Sequence, residues 1–254
     1  MKSPKQSYRI WHSARVGSSL LCQLLEDTGV AGMPGEHFVK PSELDFADPN
    51  GNKTYAAYRN KFWELTTGGQ AVAGLKKGAH TAYDQVHLEE LFTLKGIPKE
   101  SDPDSIWQDL LPNCKHIILI RNNKIRQAVS WWKAIQDDVW HLRGKENYTK
   151  SKDFYEDKYD AAALRHLYHE AVLREAAAQD YLAQRGLSAL TIAYEDLIAH
   201  PKLVLQRVLD YIGIDYSVKG DLKFFYQKTA DELNEEWTQR FRADLQKGFE
   251  QKAW

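Results

Sequence analysis

Cysteine is scarce in this chain. Only Cys22 and Cys114 occur among 254 residues; they give no metal spacing and no redox pair, and each lies among apolar neighbours, where a small buried thiol is the expected role. Long apolar runs are also missing. No stretch approaches the ~20 residues that a membrane-crossing helix needs, and the polar start is not followed by the apolar centre of an export signal. Neither sign of charge is in excess, with a formal net charge of −1. That removes the electrostatic case for a protein that coats nucleic acid or an anionic membrane. No internal repeat is visible. These absences lead to the expectation of a cytoplasmic protein with no nucleic-acid partner and no membrane insertion.

What is present is enough apolar material for one substantial core, 43% of the residues. A single domain over 1–254 is therefore expected, with a helical segment at about 141–185 packed on it. Short apolar runs read as strands at Tyr8–Trp11, Ala71–Leu75, His116–Ile120 and Ala189–Ala193. Between them lie helical patterns: one opening near Ser18, one carrying Tyr55, Tyr58, Phe62 and Trp63, a short one after Asp102-Pro103, and one capped by Asn122 or Asn123 and running to about Trp140. A further helical stretch covers Asp153–Gln184, another follows Pro201, and a last one starts near Asp231. Ala31–Asn52 shows no sustained period and reads as a long loop. Strands alternating with helices predict an α/β fold, a central parallel sheet flanked by helices with its ligands at the carboxyl ends of the strands.

The first of those ends carries Ser13-Ala14-Arg15-Val16-Gly17-Ser18-Ser19, followed by Leu20, Leu21, Leu24 and Leu25 at helical spacing. The first-turn N–H groups of a helix lack intrahelical partners and sit at the positive end of its dipole, so a strand, a small-residue turn and a helix start make an anion cradle. It is not the phosphate loop of nucleotide hydrolases, which needs a second glycine and a lysine before the Ser or Thr. An ordinary strand-to-helix turn with Ser18 as cap explains the loop equally well at this point. Arg15, two residues before the glycine, offers a permanent charge and a fork of donors. A second anion signal ends the third strand, where Arg121 follows Ile120 and Ser130 lies on the next helix. Both strand ends fall on one edge of a parallel sheet, so a ligand with two separated anionic groups could span them.

With these residues in view the chain resembles the sulfotransferases that use 3′-phosphoadenosine 5′-phosphosulfate (PAPS), and among them the bacterial trehalose 2-sulfotransferase-like family. Five pieces in order carry the resemblance: Ser13–Leu21, Ala31–Phe38, Arg121 with Arg126–Trp132, Gln136–Trp140, and Glu236–Phe241. The resemblance implies a P-loop NTPase-like sulfotransferase fold, sulfation of a carbohydrate or other small-molecule hydroxyl, and PAPS as donor with no metal required. It implies that Ser13, Ala14, Arg15, Val16, Gly17, Ser18 and Ser19 hold the 5′-phosphosulfate, with Arg15 at the transferring group. Arg121 and Ser130 would hold the 3′-phosphate, and Lys228 and Thr229 would close over the nucleotide. Glu36 would be the general base, with Met33, His37 and Phe38 beside it at the acceptor and His37 as the competing base. Met33 stands where the trehalose enzymes have a second glutamate, and Ala14 where they have an amide side chain. A homodimer is compatible with the family.

Two other readings stay open on the residues. A phosphate-loop kinase would bind ATP with magnesium and is opposed by the missing lysine; a non-catalytic nucleotide-binding module is motivated by Met33 and Ala14. Tyr194-Glu195-Asp196-Leu197 reads as a strand end and helix cap, and His166 with His169 as a solvated helix face. Trp131 and Trp132 point to different sides of their helix, so one can pack in the core while the other, with Trp140, lines an acceptor pocket. Lys76 is given no role.

Overall fold

The computed structural model describes residues 2–79, 82–141, 150, 152–224 and 231–247. Four strands, β1 (Gln6–His12), β2 (Val72–Lys76), β3 (Cys114–Ile120) and β4 (Ala189–Ala193), form a parallel sheet in the order β2-β1-β3-β4. After β1 the chain turns to one side to make β2 and then crosses to the other to make β3. The crevice between β1 and β3 is therefore the topological switch point at which such sheets bind ligands.

Alternation along β1 decides what each face meets. Tyr8 and Ile10 join Ile117, Leu119 and Ile192 under α1 (Ser18–Glu26) and, further along the chain, the helices at Tyr194–Ala199 and Pro201–Ile212. Arg9 and Trp11 face the opposite side. There α2 (Tyr55–Thr67), α3 (Ala82–Lys95) and α4 (Asp104–Leu110) cover β2, while α5 (Lys124–Asp137) leads on to α6 (Ala161–Gln184), which puts Ala178 and Leu182 against Trp11 and Ile118. The remaining helices are α7 (Tyr194–Ala199), α8 (Pro201–Ile212) and α9 (Glu232–Leu245). A third apolar cluster joins α5, α6 and α9 through Trp131, Leu164, Trp237 and Phe241. Among the described residues no helix is long and apolar enough to cross a membrane.

Several boundaries differ from the sequence reading for local reasons. The helix after Asn123 stops at Asp137, where Asp138 turns left-handed at φ 57°, so Trp140 is not on it. The stretch from Asp153 is not one helix: a 3-10 turn at Lys152–Tyr155 precedes α6, which starts only where Asp160 accepts from the N–H groups of Ala162 and Ala163. α3 is not foreseen, although Leu88, Leu91 and Phe92 recur at helical spacing before Gly96 and are fully buried. Residues 31–52 are a loop, as expected, but Gly35 makes an isolated parallel bridge to Leu75 and so adds itself to the outer edge of β2. That bridge brings Glu36 to the sheet.

Candidate active site

At the end of β1, Arg15 and Gly17 both adopt the left-handed region, at φ 63° and 80°. Gly17 caps α1 without a side chain, so the helix starts at Ser18, and the first intrahelical bond runs from Leu21 N–H to the Gly17 carbonyl. The N–H groups of Ser18, Ser19 and Leu20 precede that bond and have no intrahelical acceptor. A Cβ on Gly17 would lie 2.8 Å from Cδ2 of Tyr194. The glycine is thus needed both for its backbone angle and for the ring packed over it.

Side chains from other elements hold this loop. Gln127 of α5 donates through Nε2 to Ser13 Oγ at 2.8 Å and to the Ala14 carbonyl at 2.7 Å. Arg121, at the end of β3, donates through Nη1 to the Arg15 carbonyl at 3.2 Å, and its guanidinium lies 4.6 Å from the centre of the Tyr194 ring. Glu195 accepts from the backbone N–H groups of Asn122 and Asn123, both at 3.1 Å, fixing the turn that carries Arg121. Tyr194 and Glu195 are structural in that sense, and what they brace is this pair of loops. Arg15 donates through Nε to Ser130 Oγ at 3.0 Å and through Nη1 to the Trp140 carbonyl. Its guanidinium is therefore turned toward Ser130, and Arg15, Arg121 and Ser130 form one cluster. Arg121 Nε is buried and donates to nothing among the described residues. Burial first, and then the neighbouring Arg121, lowers the Arg15 pKa. Two crowded guanidinium groups and an unused buried donor favour an anion between the strand ends.

Glu36 lies across the same edge. Its carboxylate is 68% exposed and pairs with Lys76 Nζ at 3.0 Å, while Lys76 also donates to Ser19 Oγ at 3.3 Å. Burial raises the Glu36 carboxyl, but the charge and hydrogen bond of Lys76 together pull it below the usual carboxylate range. His37 folds back on its own loop, with Nε2 2.9 Å from the Met33 carbonyl, and burial lowers its pKa. Phe38 is 7% exposed and packs its ring on Trp107 and His87, so it anchors the loop in the core instead of lining an acceptor surface. Met33 is pinned by its N–H to the Thr66 carbonyl, and its side chain fills the space beside Gly68. Val16 is wholly buried in the core under α1, and Ser18 is 8% exposed. These two contribute backbone and packing to the loop. Lys228 and Thr229 lie outside the described residues. Trp131 is buried, Trp132 donates to the Lys158 carbonyl at 2.7 Å, and Trp140 is 39% exposed.

Lys76, left without a role by the sequence, and Gln127, part of the Arg126–Trp132 piece but given no role of its own, both reach the loop in the structure. Lys76 ends β2, an edge strand of the described sheet, and meets the loop only through the register that pairs it with Ile10.

Comparison with known proteins gives the family of the chain. A family model described as Stf0 sulphotransferase matches residues 7–244. The chain belongs to the Stf0 sulphotransferase family. It is 26% identical to the trehalose 2-sulfotransferase of Mycobacterium tuberculosis over 96% of this chain and 97% of that one. It is likewise 26% identical to the trehalose 2-sulfotransferase of Mycolicibacterium smegmatis, over 97% and 98% of the two chains. Among solved structures, a sulfotransferase from Alicyclobacillus acidocaldarius is 15% identical with a TM-score of 0.45, covering 97% of this chain and 95% of that one. The chain is a sulfotransferase enzyme, and its structure is an α/β fold, a parallel sheet with flanking helices.

Proposed function

We propose that this enzyme takes the sulfuryl group of PAPS and places it on a hydroxyl of a carbohydrate, glycolipid or other small metabolite, with Glu36 as general base. The observation that carries the reading is the meeting of Arg15, Arg121 and Ser130 at the switch point, beside a helix start whose first N–H groups have no intrahelical acceptor. When bound, the donor supplies a sulfuryl group on a phosphate leaving group. The backbone from Arg15 to Ser19, with Ser13 and Ala14 behind it, would hold the 5′-phosphate. Arg121, through its unused Nε, and Ser130 would hold the 3′-phosphate. Arg15 belongs to both halves, since its guanidinium reaches Ser130 while its backbone is part of the turn.

Glu36 takes the acceptor's hydroxyl proton as the new oxygen–sulfur bond forms opposite the bond that breaks, an in-line displacement by analogy with phosphoryl transfer. The loop N–H groups, with the backbone of Arg15 among them, stabilise the charge that moves onto the leaving phosphate. The exposure of Glu36 supports its role as the group an acceptor can reach, while His37 is occupied by the Met33 carbonyl. The curated relatives are named for trehalose. Here Met33 supplies no hydroxyl-binding carboxylate, so the acceptor class is kept at a small-molecule hydroxyl.

Calorimetric titration with adenosine 3′,5′-bisphosphate, with adenosine 5′-monophosphate as control, tests the donor site. The reading expects magnesium-independent binding that needs the 3′-phosphate and is weakened by Arg121→Ala and Ser130→Ala. Equal binding of both nucleotides, or of neither, overturns it. Turnover by the wild type and not by Glu36→Gln in an acceptor screen separates an enzyme using this base from a nucleotide-binding module.

A further inference from the structure

The donor loop has no lysine of its own, yet an ammonium stands beside it. Lys76 reaches from the end of β2 to Ser19 Oγ in the first turn of α1 at 3.3 Å, and from the same position to Glu36 Oε1 at 3.0 Å. Its side chain is 12% exposed, so the charge is held by the fold and not by solvent. Three features fix it there. The Lys76 N–H donates to the Gly35 carbonyl at 2.9 Å, which locks the Glu36 loop to the same residue that pairs with the Glu36 carboxylate. The next residue, Lys77, donates its N–H to the Ile10 carbonyl at 2.9 Å. Beneath the turn, the buried Arg9 guanidinium donates to the carbonyls of Lys77 and Gly78 at 3.3 and 2.6 Å while stacked 3.5 Å from the Trp11 ring centre.

We propose that Lys76 is a shared counter-ion between the two halves of the site, holding the base Glu36 in place and at the same time facing the anion that the donor loop cradles. An ammonium has three donors. Glu36 and Ser19 take two of them, and an anion seated on the first turn of α1 lies next to Ser19. Glu36 and a donor anion then compete for one positive charge, so the affinity of the donor site depends on the charge state of the base. The reasoning rests on the reading of the loop as the donor site and of Glu36 as the base. The other titratable groups near Glu36 among the described residues are His12 from the end of β1, His37 on its own loop, Lys77 after β2, Cys22 of α1 and His141 beyond α5, with His141 Nε2 also 3.3 Å from Ser19 Oγ. His12 is pushed down to about 4 by burial first and then by Lys76, so it is neutral at physiological pH and does not replace the lysine.

The test is a double-variant cycle read by calorimetry with adenosine 3′,5′-bisphosphate on the whole chain. Lys76→Met is expected to weaken binding about tenfold, the size of one lost charge-assisted hydrogen bond. Glu36→Gln is expected to tighten binding severalfold, because the lysine is no longer shared. Lys76→Met introduced into Glu36→Gln should therefore cost more than it does in the wild type, a non-additivity that a merely structural lysine would not produce. Lys76→Arg, which keeps the charge, should restore most of the affinity and guards against a folding defect in the methionine variant. The acidic limb of the kcat/KM profile should move to higher pH in Lys76→Met, since Glu36 loses the cation that keeps it ionised. Wild type that binds the bisphosphate while Lys76→Met binds it equally, with an additive cycle and an unmoved limb, overturns the shared counter-ion alone. Wild type that does not bind the bisphosphate overturns the donor-site reading, and the shared counter-ion with it.

Discussion

The two halves of the site are built in different ways. On the proposed donor side, the turns after β1 and β3 and residues of α5 and α7 are tied by bonds that cross the fold: Gln127 to Ser13 and Ala14, Arg15 to Ser130, Arg121 to the Arg15 carbonyl, and Glu195 to Asn122 and Asn123. On the acceptor side, Glu36 sits on a loop joined to the sheet edge by one bridge, and its carboxylate is 68% exposed with Lys76 as its ion-pair partner. The proposed nucleotide carries anionic groups at two separate positions, and a site that must orient both gains from groups already fixed in place.

Substituting the base breaks that comparison most sharply. Glu36→Gln should lower kcat by about 100- to 10,000-fold, the range for removal of a general base, while binding of adenosine 3′,5′-bisphosphate is kept or tightened. Steady-state turnover beside calorimetry checks it, and a variant that loses nucleotide binding would show that the halves are not separable. Arg121→Ala is the converse. It removes both the donation to the Arg15 carbonyl and the unused Nε, and should weaken the bisphosphate about 10- to 100-fold, as expected for a hydrogen bond to a charged group. Full retention of affinity would place the nucleotide elsewhere.

The donor turn can also be tested through its backbone. Gly17→Ala forces a side chain into the left-handed region at φ 80° and against Tyr194 at 2.8 Å. The backbone alone costs about 1–2 kcal/mol, and moving Tyr194 disturbs its stack on Arg121. Chemical denaturation should show the loss of stability, and bisphosphate affinity should fall with it. An equivalent change at Gly51, which also has positive φ but nothing within 4 Å of the added Cβ, should cost only the backbone part.

The donor half was the more legible one because its signals are local. A strand, a small-residue turn and a helix start lie within Gln6–Glu26, and Arg121 directly follows the apolar run of β3. What was not legible depends on register. Lys76 meets Glu36 only because β2 pairs in parallel with β1 and Gly35 bridges to Leu75. Gln127 looks like any polar helix residue until α5 is laid across the loop. Phe38 shows the same limit from the other side: it shares a motif with Glu36, yet its ring packs in the core against Trp107. Adjacency in sequence places residues near a site but does not decide which way they face.

The smallest expected effect concerns the brace behind the donor loop. Glu195 is partly buried, which raises its carboxyl, but the N–H groups of Asn122 and Asn123 lower it further, so its folded pKa lies below the ordinary glutamate value. A carboxyl with a depressed folded pKa stabilises the fold fully above its unfolded value, about 4.3, and that contribution fades as pH falls through the lower folded value. Solvent screening keeps the total near or below about 1 kcal/mol. Glu195→Gln should therefore be slightly less stable than wild type at pH 7, and the gap should close below the folded pKa. Denaturant titrations at neutral and strongly acidic pH measure the difference, and a gap that stays constant across that range would mean that the carboxylate charge contributes nothing to holding Arg121 in place.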